Sequence, residues 1–203
     1  MVHEIIFATT NEAKVKQFQG ALAPFGIVVK SLKNFTSLPS IEEDGETAQE
    51  NAKKKATIYA RASKQTVVSM DNALYFDKLP TEAQPGIHVR RIHSDNTRPT
   101  DEALLSHYTE LVKQFGAQTT GRWEFAICIA TPDGQCQETT IISPRIFTST
   151  PSSKIVPGYP LESMQIDPKT GKYISEMDQA EQAVFWQRAI GQPLQDFIKK
   201  AWG

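Results

Sequence analysis

Apolar Ile5 to Ala8, polar Thr9-Thr10-Asn11 and a helix-period stretch from Glu12 to about Leu22 follow one another directly. A short apolar run reads as a buried strand, and apolar residues spaced by three and four read as a helix packed against it. This order commits the start of the chain to an α/β arrangement. A second strand, Ile27 to Lys30, comes after Pro24-Phe25-Gly26.

Farther on, a loop closes at Pro39 and the acidic cluster Glu42-Glu43-Asp44-Gly45, and a helix is predicted from Thr47 to about Ser63. Thr66 to Ser69 and Ala73 to Phe76 read as strand pieces around Met70-Asp71-Asn72. A loop rich in Pro, Gly, His and Arg spans Gln84 to Pro99, and Thr100 opens a helix to about Phe115. Trp123 to Thr131 and Gln135 to Phe147 form the clearest hairpin, joined through Asp133-Gly134, a dipeptide that suits a tight primed turn. Thr148 to Pro168 reads as a loop crossing, and two helices end the chain, Ser175 to about Ile190 and Pro193 to Trp202. Strands that alternate with helices and then a hairpin predict an α/β fold with a mixed sheet and flanking helices.

Composition bounds what this fold can do. At 203 residues, 39% of them apolar, a single domain over residues 1–203 removes roughly 70% of its extended surface from water, and it needs neither disulfides nor a structural metal. A net charge of −1 leaves no basic footprint for duplex nucleic acid, so an anionic ligand must be met locally. The longest apolar run, Phe125 to Ala130, is too short to cross a bilayer, and Met1-Val2-His3-Glu4 does not open a secretory signal; the expectation is a cytoplasmic protein with no membrane partner. Cys128 and Cys136 flank the hairpin turn with no second pair to complete a zinc site, and are read as reduced and structural.

Three places combine residue types that carry chemistry. Lys14 lies in the first turn of its helix, where the dipole disfavours a cation unless an anion is near; with Thr9, Thr10, Asn11 and the open backbone N–H groups it makes a phosphate cradle. The plain reading is that Thr10 or Asn11 caps the helix and Lys14 is solvated. In Thr47-Ala48-Gln49-Glu50 a capping box assigns Glu50 to structure. At about 100° per residue, Lys55 falls in the stripe of Ala48, Ala52 and Tyr59, where a lysine either snorkels out or reaches a buried anion, while Lys53 and Lys54 point elsewhere. Glu42, Glu43 and Asp71 are the carboxylates best placed to meet the lysines; such oxygens suit Mg²⁺, which takes one or two carboxylates when phosphates and water complete its octahedron. Asp71, read at a strand end, could also orient or deprotonate a water. The four histidines show no metal-ligand spacing, and no nucleophile elbow, Walker loop or dinucleotide glycine pattern is present.

Taken in order, these blocks resemble the inosine triphosphate pyrophosphatase family, over most of the chain. Phe7-Ala8-Thr9-Thr10-Asn11-Glu12-Ala13-Lys14 is similar to its opening Thr-x-Asn-x-x-Lys loop. Glu42 to Thr47, with Glu50-Asn51-Ala52 and Lys55-Ala56, is similar to its second block. Asp71 falls in its Asp-Asp-Ser-Gly-Leu element and Pro85-Gly86-Ile87 in its Pro-Gly-x-Tyr-x-x-Arg element, and Phe125 to Gly134 looks like its central hairpin. The resemblance implies an elongated mixed sheet with two lobes around a nucleotide cleft, a homodimer, and Mg²⁺-dependent hydrolysis of nucleoside triphosphates to monophosphate and pyrophosphate, with Mn²⁺ as a substitute metal. On that model Thr9, Asn11, Lys14 and Lys55 hold the triphosphate, Glu42 and Asp71 hold the metal, and Asp71 also positions the attacking water. Asp71 and Lys14 are then the residues on which hydrolysis depends.

Departures gather where the family reads the base. Met70 stands in place of the first acidic residue of the Asp-Asp pair, and Asn72-Ala73 replace Ser-Gly. Pro157-Gly158-Tyr159-Pro160 is a reduced Phe-Gly-Tyr-Asp-Pro; the late Lys and Ser-His-Arg element appear as Gln182 and Trp186-Gln187-Arg188. Arg91, Tyr159 and Arg188 are the base-side contacts that survive, with His88 in place of a Tyr. Trp186 is expected either in the helix core or as a new stacking surface. The alternative function is a nucleotide-binding protein that has lost hydrolysis and serves as a sensor or partner module. A modified-pyrimidine branch of the same fold is disfavoured by the absence of its Ser-Pro-Arg opening.

Overall fold

The computed structural model describes residues 3–10, 12–35, 38–95 and 97–202. Its strands are β1 (His3–Phe7), β2 (Ile27–Ser31), β3 (Val67–Phe76), β4 (Gln118–Ala130), β5 (Cys136–Thr148) and β6 (Gln165–Ile166). Its helices are α1 (Glu12–Leu22), α2 (Ala48–Ser63), α3 (Asp101–Lys113), α4 (Gln179–Trp186) and α5 (Gln192–Trp202). The strands form one sheet in the order β2-β1-β3-β4-β5-β6. It is mixed: β1 pairs parallel with β2 and with β3, whereas β5 and β6 run antiparallel. The chain divides into two compact units, Met1–Asn72 with Phe125–Ile141 and Ala183–Gly203, and Ala73–Glu124 with Ile142–Gln182.

In the first unit, β1 carries Ile5, Ile6 and Phe7, all buried, as a strand covered on both faces must. Phe18 of α1 stacks on Phe7 with ring centroids 4.1 Å apart, which fixes the helix on the strand. Gly26 adopts φ 71° to turn the chain back into β2, and its N–H closes on the Ala23 carbonyl. As the edge strand, β2 would offer unpaired backbone groups. The Gln19 side chain of α1 takes two of them, donating to the Ile27 carbonyl at 3.1 Å and accepting from the Val29 N–H at 2.7 Å. Helix α2 starts at the capping box the sequence announces: the Thr47 hydroxyl accepts from the Glu50 N–H, and the Glu50 carboxylate accepts from the Thr47 N–H. Its small face, Ala48, Ala52, Ala56 and Ala60, is buried, and the Ser69 hydroxyl of β3 donates to the Ala52 carbonyl.

The second unit is built on α3, capped by the Thr100 hydroxyl. Its Leu104, Leu105, Tyr108 and Val112 join Leu74, Phe76, Phe147, Leu161 and Met164 in one apolar cluster. Tyr108 donates from that core to the Val89 carbonyl at 3.0 Å, so its hydroxyl is satisfied. Gly121 is required by close approach: a Cβ there would sit 2.5 Å from the Tyr75 carbonyl oxygen.

Three sequence expectations are corrected. The pieces around Met70-Asp71-Asn72 are one unbroken strand, β3, so Asp71 lies inside a strand and not at its end. Sheet pairing and anchoring override the polar residues that suggested a break: Leu74 exchanges backbone hydrogen bonds with Gly86, and the Gln84 side chain binds both the N–H and the carbonyl of Phe76. The helix expected from Ser175 begins only at Gln179; Ile174–Glu176 is a separate short turn, and α4 passes through a wide π turn, Gln187–Gly191, into α5. Phe185 is the buried aromatic of this segment, at 2% exposure, while Trp186 is half-buried beside it. Between Thr148 and Pro168 the crossing contains a short 3₁₀ turn, Pro160–Met164, and the two-residue β6.

Candidate functional site

Lys55 is the centre of the first unit's polar constellation. It is 8% exposed, on the inward stripe of α2, and its Nζ lies 2.6 Å from Glu43 Oε1, 3.2 Å from the Met70 carbonyl oxygen and 3.4 Å from Asp71 Oδ1. Of the two outcomes open to an inward lysine, this one reaches anions. Asp71 keeps only 14% of its side chain exposed, whereas Glu43 remains half-exposed. Both carboxylates therefore share one ammonium as ion-pair partner. Lys53 and Lys54 turn away to Glu138 and Asp44. Tyr59, one turn along α2, is partly buried and its phenol is pushed above its ordinary range by burial, with opposing pulls from Lys55 and Glu43.

Met70 clarifies the lost acidic position. Its side chain is 4% exposed and belongs to the core, and its backbone oxygen faces the ammonium. Glu42 is exposed and makes no ion pair among the described residues; its neighbour Glu43 supplies the carboxylate at Lys55. The turn carrying them is held by Asn51, 2% exposed, whose Oδ1 accepts the Gly45 N–H at 2.8 Å. Spelling alone had marked Asn51 only as part of a block.

Thr9 and Lys14, two of the residues expected to cradle phosphate, flank the start of α1. Thr9 is half-buried; its carbonyl receives the Leu32 N–H and the Ser31 hydroxyl, which ties the loop to the end of β2. Lys14 is half-buried in the first turn of α1. Asn11 lies outside the described residues. At the same helix end Lys33 pairs with Glu12 at 2.5 Å and holds that carboxyl below its usual range. Arg188 sits in the π turn, its guanidinium 5.7 Å from the Phe185 ring centroid, and Phe185 meets Trp186 edge-on at 4.8 Å.

Within the second unit, Arg91 is exposed, its N–H bound to the His88 carbonyl. Burial lowers the His88 imidazole below its usual range, with Arg91 adding to the effect. Tyr159 is half-buried, burial pushes its phenol up to about 12, and its Oη is buried with no hydrogen-bond partner among the described residues. Its turn is fixed by residues the sequence did not single out. Asp101, in the first turn of α3, accepts the Gly158 N–H at 2.6 Å, and Arg90 donates to the Gly158 carbonyl at 2.7 Å. Gly158 has φ 81°, which explains the glycine. Long-range bonds from side chain to backbone leave no spacing signal, so only Arg90's place beside Arg91 hinted at it.

Among the described residues no group of three His, Cys, Asp or Glu is placed to hold a metal ion. Two carboxylates on one lysine are nonetheless the hard-oxygen donors that suit Mg²⁺ when phosphate oxygens and water supply the rest of its shell. Cys128 and Cys136 are both free thiols, and burial drives the Cys128 thiol up to about 12, as a structural cysteine requires. No helix among the described residues is long and apolar enough to cross a membrane.

A family model described as the Ham1 family matches residues 5–191. A curated relative from Exiguobacterium sp., called dITP/XTP pyrophosphatase, is 30% identical over 183 residues, 89% of each chain. One from Bacillus subtilis with the same name is 34% identical over 134 residues, 65% of each chain. Among solved structures, a HAM1 protein from Coxiella burnetii matches with a TM-score of 0.74 at 20% identity, covering 98% of this chain and 99% of that one. The Staphylococcus aureus Ham1 protein matches with a TM-score of 0.71 at 21% identity over the same shares. These two likenesses establish the fold.

Proposed function

The chain belongs to the Ham1 family, and on that premise we propose that it is a nucleoside triphosphate pyrophosphatase, releasing pyrophosphate and a nucleoside monophosphate. The relatives named dITP/XTP pyrophosphatase support the reaction class. The observation that carries it is Lys55 Nζ placed between the Glu43 and Asp71 carboxylates. In this reading Thr9, Asn11, Lys14 and the N-terminal N–H groups of α1 bind the triphosphate, since a helix start favours anions and Lys14 adds a full charge. Lys55 holds two carboxylates on one ammonium. Asp71 Oδ accepts a proton from, and orients, the water that attacks phosphorus. Asp71 of β3 and Glu43, with Glu42 next to Glu43 in the acidic segment before α2, are the residues that would hold Mg²⁺, with Mn²⁺ as a substitute. The ion would neutralise developing charge on the phosphate oxygens.

Base selection is where this chain departs. Tyr159, Arg91 and Arg188 are the contacts proposed on that side, without the family's second aromatic or its late His. A base preference shifted away from the relatives' follows from that loss, and a homodimer is expected from family membership. Pyrophosphate release from a panel of dITP, XTP and the ordinary triphosphates with Mg²⁺ tests the proposal: turnover of at least one is expected, and none with either Mg²⁺ or Mn²⁺ overturns it. Met70 favours a second reading, a binder that no longer hydrolyses; it predicts a raised melting temperature with nucleotide and no product.

A further inference from the structure

Gly45 and Asn51 meet more closely than a capping box requires. An ideal Cβ on Gly45 would sit 2.7 Å from Asn51 Oδ1 and 2.9 Å from Glu50 Cβ, distances that real Cβ atoms do not tolerate. The glycine is there so that its backbone can approach α2, and not for a left-handed φ. What approaches is the N–H, which donates to Asn51 Oδ1 at 2.8 Å; the next N–H, of Glu46, donates to Glu50 Oε2 at 2.8 Å. Asn51 itself is 2% exposed, so its amide is held in one place by packing. Two residues before Gly45, Glu43 extends to Lys55. Glu43 is half-exposed and Lys54 pairs with Asp44, so the buried anchor of this segment is the Asn51 amide. The lock on the turn comes from the helix.

We infer that Asn51 is a positioning residue of the hydrolytic site: its buried amide oxygen holds the Gly45 backbone and thereby fixes the Glu43 carboxylate on the Lys55 ammonium. The inference rests on the proposed reaction for its catalytic consequence, but not for the lock itself. One hydrogen bond to a buried acceptor controls where a carboxylate sits, so its loss acts through Glu43.

Two measurements test it. Hydrogen exchange at the Gly45 amide is expected to quicken at least tenfold in Asn51→Ala, in protein that remains folded. In turnover, Asn51→Ala is expected to lower kcat/KM about tenfold in the wild-type background and less than twofold in Glu43→Gln, since the effect passes through that carboxylate. Gly45→Ala, which forces the turn off the amide with Asn51 intact, should reproduce the defect and add little to Asn51→Ala; it carries the test should Asn51→Ala not fold. Unchanged exchange at Gly45 overturns the lock. Equal losses with and without Glu43 overturn the positioning role and leave Asn51 a packing residue. If the wild type releases no pyrophosphate from any triphosphate, the proposed reaction fails while the exchange measurement still decides the lock.

Discussion

Two glycine turns, one in each unit, are locked by the same device and hold opposite contents. Glu42–Gly45 is bound through a backbone N–H to the amide of Asn51 in α2, and Pro157–Tyr159 through a backbone N–H to the carboxylate of Asp101 in α3. The first turn delivers a carboxylate that is already paired, with Lys55 also holding Asp71. The second carries a tyrosine whose buried Oη has no partner among the described residues. The segment that keeps the family's spelling thus has Glu43 and Asp44 paired with α2 lysines and leaves Glu42 to solvent, and the turn that departs from it carries a desolvated hydroxyl. A buried charge such as the Lys55 ammonium must be paired in the folded state whether or not a ligand is present, whereas one hydroxyl can stand unsatisfied for about 1–3 kcal/mol.

The largest effects are expected at Asp71, which shares Lys55 with the Glu42–Gly45 segment, and at Lys14 near the start of α1. Asp71→Asn and Lys14→Ala are each expected to reduce pyrophosphate release at least about 100-fold while the melting temperature stays within roughly 3 °C. Ordinary turnover in both would move the chemistry elsewhere. Lys55→Met keeps the stem but strands two carboxylates together. With Glu43 half-exposed, the cost is about 1–3 kcal/mol, a fall of roughly 2–12 °C in melting temperature. Adding Glu43→Gln to that variant should recover part of the fall; no recovery would mean that the two carboxylates do not share the lysine.

The second unit predicts a different kind of response, one driven by pH. Burial pushes the Glu162 carboxyl up to about 7, against the pull of Arg145. The folded state therefore binds the proton more tightly than the unfolded chain, and stability present below pH 4.5 is lost as pH rises towards 7. Glu162→Gln should match the wild type near pH 5 and exceed it by about 1–3 kcal/mol at pH 8, read from urea unfolding at the two pH values. Parallel curves for the two proteins would show that the carboxyl is not desolvated in solution.

Local signals were legible in the sequence and long-range ones were not. The capping box at Thr47 and Glu50, the hairpin around Asp133-Gly134 and the inward place of Lys55 each follow from spacing within one element, and each is found, although the hairpin closes through a Thr131–Gly134 turn in which only Gly134 has positive φ and not through a primed turn. The continuity of β3 through Met70-Asp71-Asn72 depends on neighbouring strands and on Gln84 and Gly86, which no window around Asp71 contains. That Phe185 is buried and Trp186 only half-buried was not legible because α4 is eight residues long and gives way to a π turn at Gln187, so no 3.6-residue period extends past it. Glu42 and Glu43 differ by one position on an extended turn with no period, so only the reach of Lys55 separates them. Arg90 and Asp101 work by binding distant backbone, and Asn51 by binding the Gly45 N–H across the helix start, and composition carries no trace of either.

The smallest effect is the most specific to the second turn. Tyr159→Phe deletes a hydroxyl that is buried and has no partner among the described residues, so the folded protein loses no internal hydrogen bond and sheds a desolvated polar atom. Stability should be unchanged or higher by up to about 1 kcal/mol, in contrast to the usual cost of deleting a satisfied tyrosine hydroxyl. Tyr108→Phe supplies that contrast within the same unit, because its hydroxyl donates to the Val89 carbonyl and its loss should cost about 1 kcal/mol. If Tyr159 contacts the substrate, the same substitution raises KM about three- to tenfold with kcat within twofold, since a group used equally in ground and transition states moves KM alone. A drop in melting temperature equal to that of Tyr108→Phe would mean that Tyr159 has an internal partner, and the two turns would then differ in sequence but not in how their polar groups are satisfied.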